Sequence, residues 1–265
     1  PLQEYFESRI MLKALSCLLI LATTPLVADV LTDARQLLDA KNGLVKRWET
    51  PPRLVVIHDG RFEFADLDNV LAVLDSATSL GLASQQIPRI DISNSNADPF
   101  IDMDFGFRRL DPGLEGQIRL RGGDVYTADI FVFHVPRDWA APAMILSRST
   151  GTGLARSYMR GRGPCYFFMR SNADGLYLST IFIDPDMTFS FEDCLYEELA
   201  QAMGIMHDVQ DTPYFTFDNK PGVVDRTYDL AMLRALYDPA FESGTPVDQV
   251  VDRFRDILVG QGLLP

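Results

Sequence analysis

The sequence predicts an α+β fold, a mixed sheet packed against helices with a helical C-terminal part. Three observations carry that expectation. Stretches of strand character, "RLVVIHD", "YTADIFVFHVP" and "CYFFMRSNADGLYLSTIFID", are spread along the chain and not grouped. Segments with apolar residues at three- and four-residue spacing alternate with them and dominate the last third. The 265 residues are 47% hydrophobic and 23% charged, which supplies apolar material for a sizeable core. Strands and helices intermixed in this way give layered α+β packing.

Residues 1–28 are expected to lie outside that fold. "MLKALSCLLILATTPLVADV" has Lys13, an apolar run from Ala14 to about Ala22, then small residues and a cut site after Ala28. This is the layout of a secretory signal peptide, and the run is short for a membrane span. Residues 1–10 precede Met11 and are set aside with it. The expected location is therefore periplasmic or secreted, with no membrane attachment once the leader is cut. The leader carries two basic and two acidic residues, so the formal charge of −13 is unchanged without it. An acidic surface repels phosphate backbones, which argues against a nucleic-acid partner.

Cutting after Ala28 also removes Cys17 and leaves Cys165 and Cys194. In an oxidising compartment an isolated pair is expected to form a disulfide. The alternative is two buried thiols. There is no CxxC pair, so neither a redox motif nor a cysteine zinc site is indicated.

The elements follow in order. "LTDARQLLDAKNGLVKRW" (31–48) has helical spacing, with Thr32 or Asp33 as cap, and Pro51 and Pro52 end it. "RLVVIHD" is a short strand. "FADLDNVLAVLDSATSLGL" repeats Leu67, Val70, Leu71 and Leu74 and predicts an amphipathic helix. From Gln85 to Gly123 the composition is rich in Asn, Asp, Gly and Pro and reads as irregular connection with weak strands. "YTADIFVFHVP" (126–136) is apolar on both faces and reads as a central strand. Residues 147–164 form a basic, Gly-rich stretch that reads as a solvated loop or as an arm for an acidic partner. "NADG" suggests a hairpin turn between two strands. "SFEDCLYEELAQAMG" reads as a helix capped by Ser190 with Asp193 and closed by Gly204. "RTYDLAMLRALYDP" and "TPVDQVVDRFRDILVG" give two final helices. His58 and His134 sit in apolar strands and read as core or edge histidines, not ligands; Trp48 and Trp139 read as packing residues. No GxSxG elbow or phosphate-binding loop in strand–helix context is present.

The chemistry concentrates in "CLYEELAQAMGIMHD", residues 194–208. On a helix, Leu195, Leu199, Ala202 and Met203 share one side, and Cys194, Glu197, Glu198 and Gln201 share the other. Glu197 and Gln201 are one turn apart. Gly204 lets the chain turn back and bring His207 towards the same point. Two strands, this helix, a Gly turn and a histidine resemble the layout of zincin peptidases, in particular the metzincin pattern HExxHxxGxxH. Glu198 occupies the general-base position, Gly204 the glycine and His207 the third ligand, and Asp208 follows as it often does there. The first two histidine positions hold Glu197 and Gln201. An amide oxygen is a weak zinc donor, and zinc hydrolases use three good protein donors plus water. Without a metal, water near Glu198 keeps a pKa far above neutral.

"CxxEELAQAMGxxxD", with "PCYFF" before it and "TPYFTFDN" and "YDLAMLRALYDP" after it, also resembles the secreted bacterial family filed as domain of unknown function 2927. Members share the Glu-Glu-x-x-Gln core, usually carry Asn at position 207, and are related to the metallopeptidase fold. The resemblance implies one zincin-like domain over 29–265, with 29–84 as an N-terminal helix and strand part and 124–265 as the peptidase-like part. It implies a degenerate metal site on a non-catalytic scaffold, structural or binding an extended peptide or protein in a cleft, with no cofactor. The alternative is a hydrolase holding one divalent metal ion on Glu197, Gln201 and His207, with Glu198 as general base.

Overall fold

The structure, a computed structural model, describes residues 29–40, 42–93, 104–109, 114–119, 125–140, 163, 165–187, 190–209, 212–216 and 226–265, with 104–109 and 114–119 described through their backbone. The leader stretch 1–28, nearly all of the basic stretch 147–164 and the end of "TPYFTFDN" lie outside these residues.

The class is α+β, as expected. Five strands form one mixed sheet in the order β2 (Arg89–Asp91), β1 (Leu54–His58), β6 (Ile130–His134), β8 (Gly175–Ile183), β7 (Cys165–Asn172). The first four are parallel, and β7 alone runs antiparallel, against β8. Every residue of β1 and β6 is buried, the mark of strands covered on both faces. Side chains alternate between two apolar layers. Leu54, Val56, Ile130, Val132, Ile181 and Ile183 join the layer that holds the helices. Val55, Ile57, Phe131, Phe133, Leu178 and Phe182 join a second layer with Tyr126 and Trp139.

The helical layer consists of α1 (29–38), α2 (Phe64–Thr78), α3 (Phe191–Ala202), α4 (Thr227–Leu236) and α5 (Val247–Gly260). In α2 the predicted stripe Leu67, Val70, Leu71 and Leu74 is buried, and Ser79 ends the helix in the left-handed region. Val250, Val251, Phe254 and Leu258 give α5 its buried stripe.

Three details differ from the sequence expectation. The N-terminal helix stops at 38, because Asn42 and Gly43 take positive φ and Asp39 Oδ1 accepts the Gly43 N–H at 2.9 Å. Residues 44–48 then run as a strap with no helical turn. The stretch 85–123, expected to be irregular with weak strands, holds those strands as regular ladder elements: β2 and two more, β3 (Asp104–Arg109) and β4 (Leu114–Arg119), which pair with each other. "YTADIFVFHVP" is two strands: β5 (Val125–Ala128) pairs with β4 in a three-stranded antiparallel sheet, and β6 enters the main sheet. Asp129 marks the break. Its carboxylate accepts the Arg53 N–H at 2.8 Å and the Arg53 guanidinium at 3.0 Å.

Candidate functional site

The β7–β8 hairpin turns at Asn172–Gly175, where Asn172 Oδ1 accepts the Asp174 N–H at 2.8 Å. The sheet leads from β8 to α3, whose N-terminus is capped as expected: Ser190 Oγ accepts the Asp193 N–H at 3.3 Å. Cys165, at the start of β7, is bonded to Cys194 in the first turn of α3. The disulfide therefore ties the edge strand to the motif helix.

Leu195, Leu199, Ala202 and Met203 are buried, as the spacing predicts. The opposite side of α3 is largely buried too: Glu198 is 5% exposed and Gln201 2%. Glu197 is half-buried. Among the described residues, Glu198 Oε2 has no hydrogen-bond partner. Burial first, then the neighbouring carboxylates of Glu197 and Asp208, hold the Glu198 carboxyl well above the ordinary range. Burial thus favours its protonated form. Gln201 Nε2 donates to Asp208 Oδ1; Asp208 is an exposed residue, but partial desolvation on the α3 side raises its carboxyl, against the lowering effect of that bond.

The end of α3 is built around the 44–48 strap. Trp48 Nε1 donates to Ala202 O at 2.8 Å, and Tyr237 Oη donates to Met203 O at 2.8 Å while accepting the Trp48 N–H. These bonds satisfy carbonyls that a helix end leaves without intrahelical partners. Gly204 has φ +119°, and a Cβ there would lie 2.2 Å from Lys46 O. Both the conformation and the close approach require glycine. The chain then passes α1: Met206 N–H donates to Leu37 O at 2.7 Å, and His207 Nε2 lies 3.0 Å from Asp39 O. His207 is exposed and caps the Asp39 carbonyl just past the C-terminal end of α1.

The structure thus brings Glu198, Gln201 and Asp208 together and turns the His207 ring to another helix. Among the described residues, no three His, Cys, Asp or Glu side chains are arranged to hold a metal ion. The donor set is chemically weak for zinc, and its imidazole nitrogen faces a backbone carbonyl, so the residues present do not fit a zinc-holding role in this arrangement.

Sequence reasoning missed a second polar network behind the same helix. Tyr196 Oη lies 3.4 Å from Asp229 Oδ2, and Thr216 donates to Asp229 through Oγ1 and, at 3.3 Å, through its N–H. Asp229 is fully buried, and desolvation pushes its carboxyl up to about 7. Arg226 stacks on the Tyr196 ring, 4.0 Å from its centre. Asp229 lies in "YDLAMLRALYDP", where the only sequence signal was an acidic residue in the first turn of a largely apolar helix.

The fold and site define an α+β protein with one mixed sheet, a disulfide-pinned edge strand and a Glu-Glu-x-x-Gln helix. The chain belongs to the family described as Protein of unknown function (DUF2927), whose model matches residues 34–256. No curated protein and no solved structure matches it.

Proposed function

We propose that this is a secreted or periplasmic protein whose zincin-like scaffold is non-catalytic and presents an edge for an extended peptide or protein segment. The observation that carries the reading is the commitment of the motif side chains to internal partners. Gln201 holds Asp208, His207 bonds the carbonyl just after α1, Gly204 makes room for the strap, and Glu198 is buried where its protonated form is favoured. A zincin hydrolase needs a metal-activated water and an ionised base. Burial works against the ionised form of Glu198 that such a base needs.

Kinship with the zincin layout is supported by the order of elements: hairpin, helix, glycine turn, histidine. An oxidising compartment is supported by the Cys165–Cys194 bond together with the leader-like sequence. The binding role is supported by the position of β7, the outermost strand of the sheet among the described residues, where an extended segment could add. The chain's charge of −13 favours a basic partner.

Elemental analysis of the leader-free protein, paired with Glu198→Ala, tests the reading. The expected result is far less than one zinc per chain, and a variant altered in melting temperature only. One tightly held metal ion per chain, lost on His207→Ala and accompanied by peptide hydrolysis that Glu198→Ala abolishes, would instead establish the metal-dependent hydrolase with Glu197, Gln201 and His207 as ligands.

A further inference from the structure

Two of the chain's three histidines take no part in the α3 motif. His58 and His134 are the last residues of β1 and β6 and are register partners across these parallel strands. The sheet changes direction here. α2 carries the chain from β1 to β2 on one side, and β6 lies on the other. In open parallel sheets the carboxyl edge at such a switch point is where the connections diverge and functional groups collect.

Both rings are buried, His58 at 7% exposure and His134 at 4%. His58 Nδ1 accepts the Gly60 N–H at 3.0 Å, which requires that nitrogen to be unprotonated. His134 Nδ1 has no hydrogen-bond partner. Asp59 Oδ1 is 4.0 Å from it, but the Asp59 carboxylate is already held by Arg61, which also reaches Asp186 at 2.6 Å. Phe62 closes the site. Its ring centre lies 5.5 Å from His134, 6.2 Å from His58 and 5.0 Å from Phe191, and the residue is 6% exposed. The 59–63 connection is therefore fastened to the sheet by contacts that suit neutral imidazoles. An imidazolium at either place would be a buried charge whose nearest carboxylates are already engaged, Asp59 by Arg61 and Asp91 by the Ser93 N–H, and at His58 it would also lose the Gly60 bond.

We propose that His58 and His134 form an acid-operated latch: on taking up protons they release the 59–63 connection, with Phe62, from the carboxyl edge of the sheet, while the rest of the core stays packed. The charged groups facing His134 are Asp59 and Arg61 from the connection, His58 from β1 and Asp184 after β8. Those facing His58 are Asp91 at the end of β2, Asp59, and Arg89. The ring contacts from α2 and α3 are uncharged, Phe64 and Phe191. Burial outweighs the carboxylates: it holds His134 down at about 4 and lowers His58 as well. Released to water, each ring returns to the ordinary range near 6.5. Every proton gained in that window favours the open form. For His134 alone the open-to-closed ratio rises on the order of 50-fold from pH 7.5 to 4.5.

Hydrogen exchange on the whole chain at these two pH values, corrected for the intrinsic chemical rate, tests the latch. Protection over residues 58–64 is expected to fall on the order of 50-fold in acid, while α3 and α4 keep theirs. His134→Phe keeps the ring packing, cannot take a proton, and is expected to lose most of that dependence. Equal protection at both pH values in the native chain, or the same acid loss in His134→Phe, overturns the proposal. Should the variant not fold, an NMR titration of His134 in the native chain decides: a midpoint well below 6 supports the latch, and an ordinary midpoint near 6.5 overturns it.

Discussion

Glu198 and Gly204 show how one motif position can be fixed by packing and not by chemistry. The Glu198 carboxyl is pushed towards its protonated form by burial first, then by the neighbouring Glu197 and Asp208. Its pKa in the folded chain lies above the unfolded value, so its contribution to stability is complete below the unfolded value and is lost as pH rises through the folded one. Glu198→Gln keeps the shape and removes the proton equilibrium. The expected outcome is a melting temperature a few degrees above native at pH 8 and equal to native at pH 4.5, measured by calorimetry. Gly204 lies in the left-handed region against a backbone oxygen that cannot move aside as a side-chain tip could. Gly204→Ala is expected to destabilise by roughly 3 kcal/mol, about 10 °C in melting temperature. A loss within 1 °C would mean that the strap at Lys46 yields freely.

At the scale of elements, α3 is held from three sides: the disulfide at its first turn, the 44–48 strap at its end, and α1 beyond Gly204. The Cys165–Cys194 bond closes a loop with a sequence separation of 29, worth about 3–4 kcal/mol in the chain-entropy model. Cys165→Ser with Cys194→Ser is expected to lower the melting temperature by roughly 10 °C and to loosen β7 first, which hydrogen exchange would read. Much of this arrangement was legible beforehand. The α2 stripe, the Ser190 cap, the NADG hairpin and the cysteine pair are local or few-choice signals, and each needs only nearby residues to be read. What was not legible depends on distant partners. Helical spacing through Leu44, Val45 and Trp48 is real, but the αL pair Asn42 and Gly43 and the partners at Tyr237 and Ala202 turn that segment into a strap. The burial of Glu198 and Gln201 depends on the same distant packing, so a face that reads as polar in the sequence is an inner face in the fold. The His58–His134 pairing required the strand order, which no periodicity contains.

At the scale of the whole molecule, acids with raised carboxyls and buried histidines with lowered imidazoles oppose one another. Glu198, Asp208 and Asp229 hold protons more tightly in the folded chain than in the unfolded one. Their contributions are complete near pH 4 and fade as pH rises, Asp229 through its value of about 7. His58 and His134 do the reverse. Both are lowered, so their contributions are complete above about 6.5 and fade as pH falls, His134 towards its value of about 4. Between about pH 4.5 and 6.5 the folded chain keeps protons on the acids that the unfolded chain releases, while the unfolded chain binds protons on imidazoles that the folded chain refuses. The two slopes offset. Above 6.5 only the acids' slope remains. Below about 4 the ordinary loss of ionised carboxylates takes over, beginning with Asp91 and Asp238, whose carboxyls are held low by hydrogen bonds. The melting temperature is therefore expected to show a broad plateau from about pH 4.5 to 6.5 and a decline towards pH 8. Asp229→Asn should flatten the alkaline decline and let the plateau tilt downward on its acid side. His134→Phe should do the opposite, leaving stability to fall continuously from pH 4.5 upward. A native profile that instead climbs steadily from pH 5 to 8 would mean that the Glu198 and Asp229 carboxyls are ionised within the folded chain, and that the inner side of α3 is open to water.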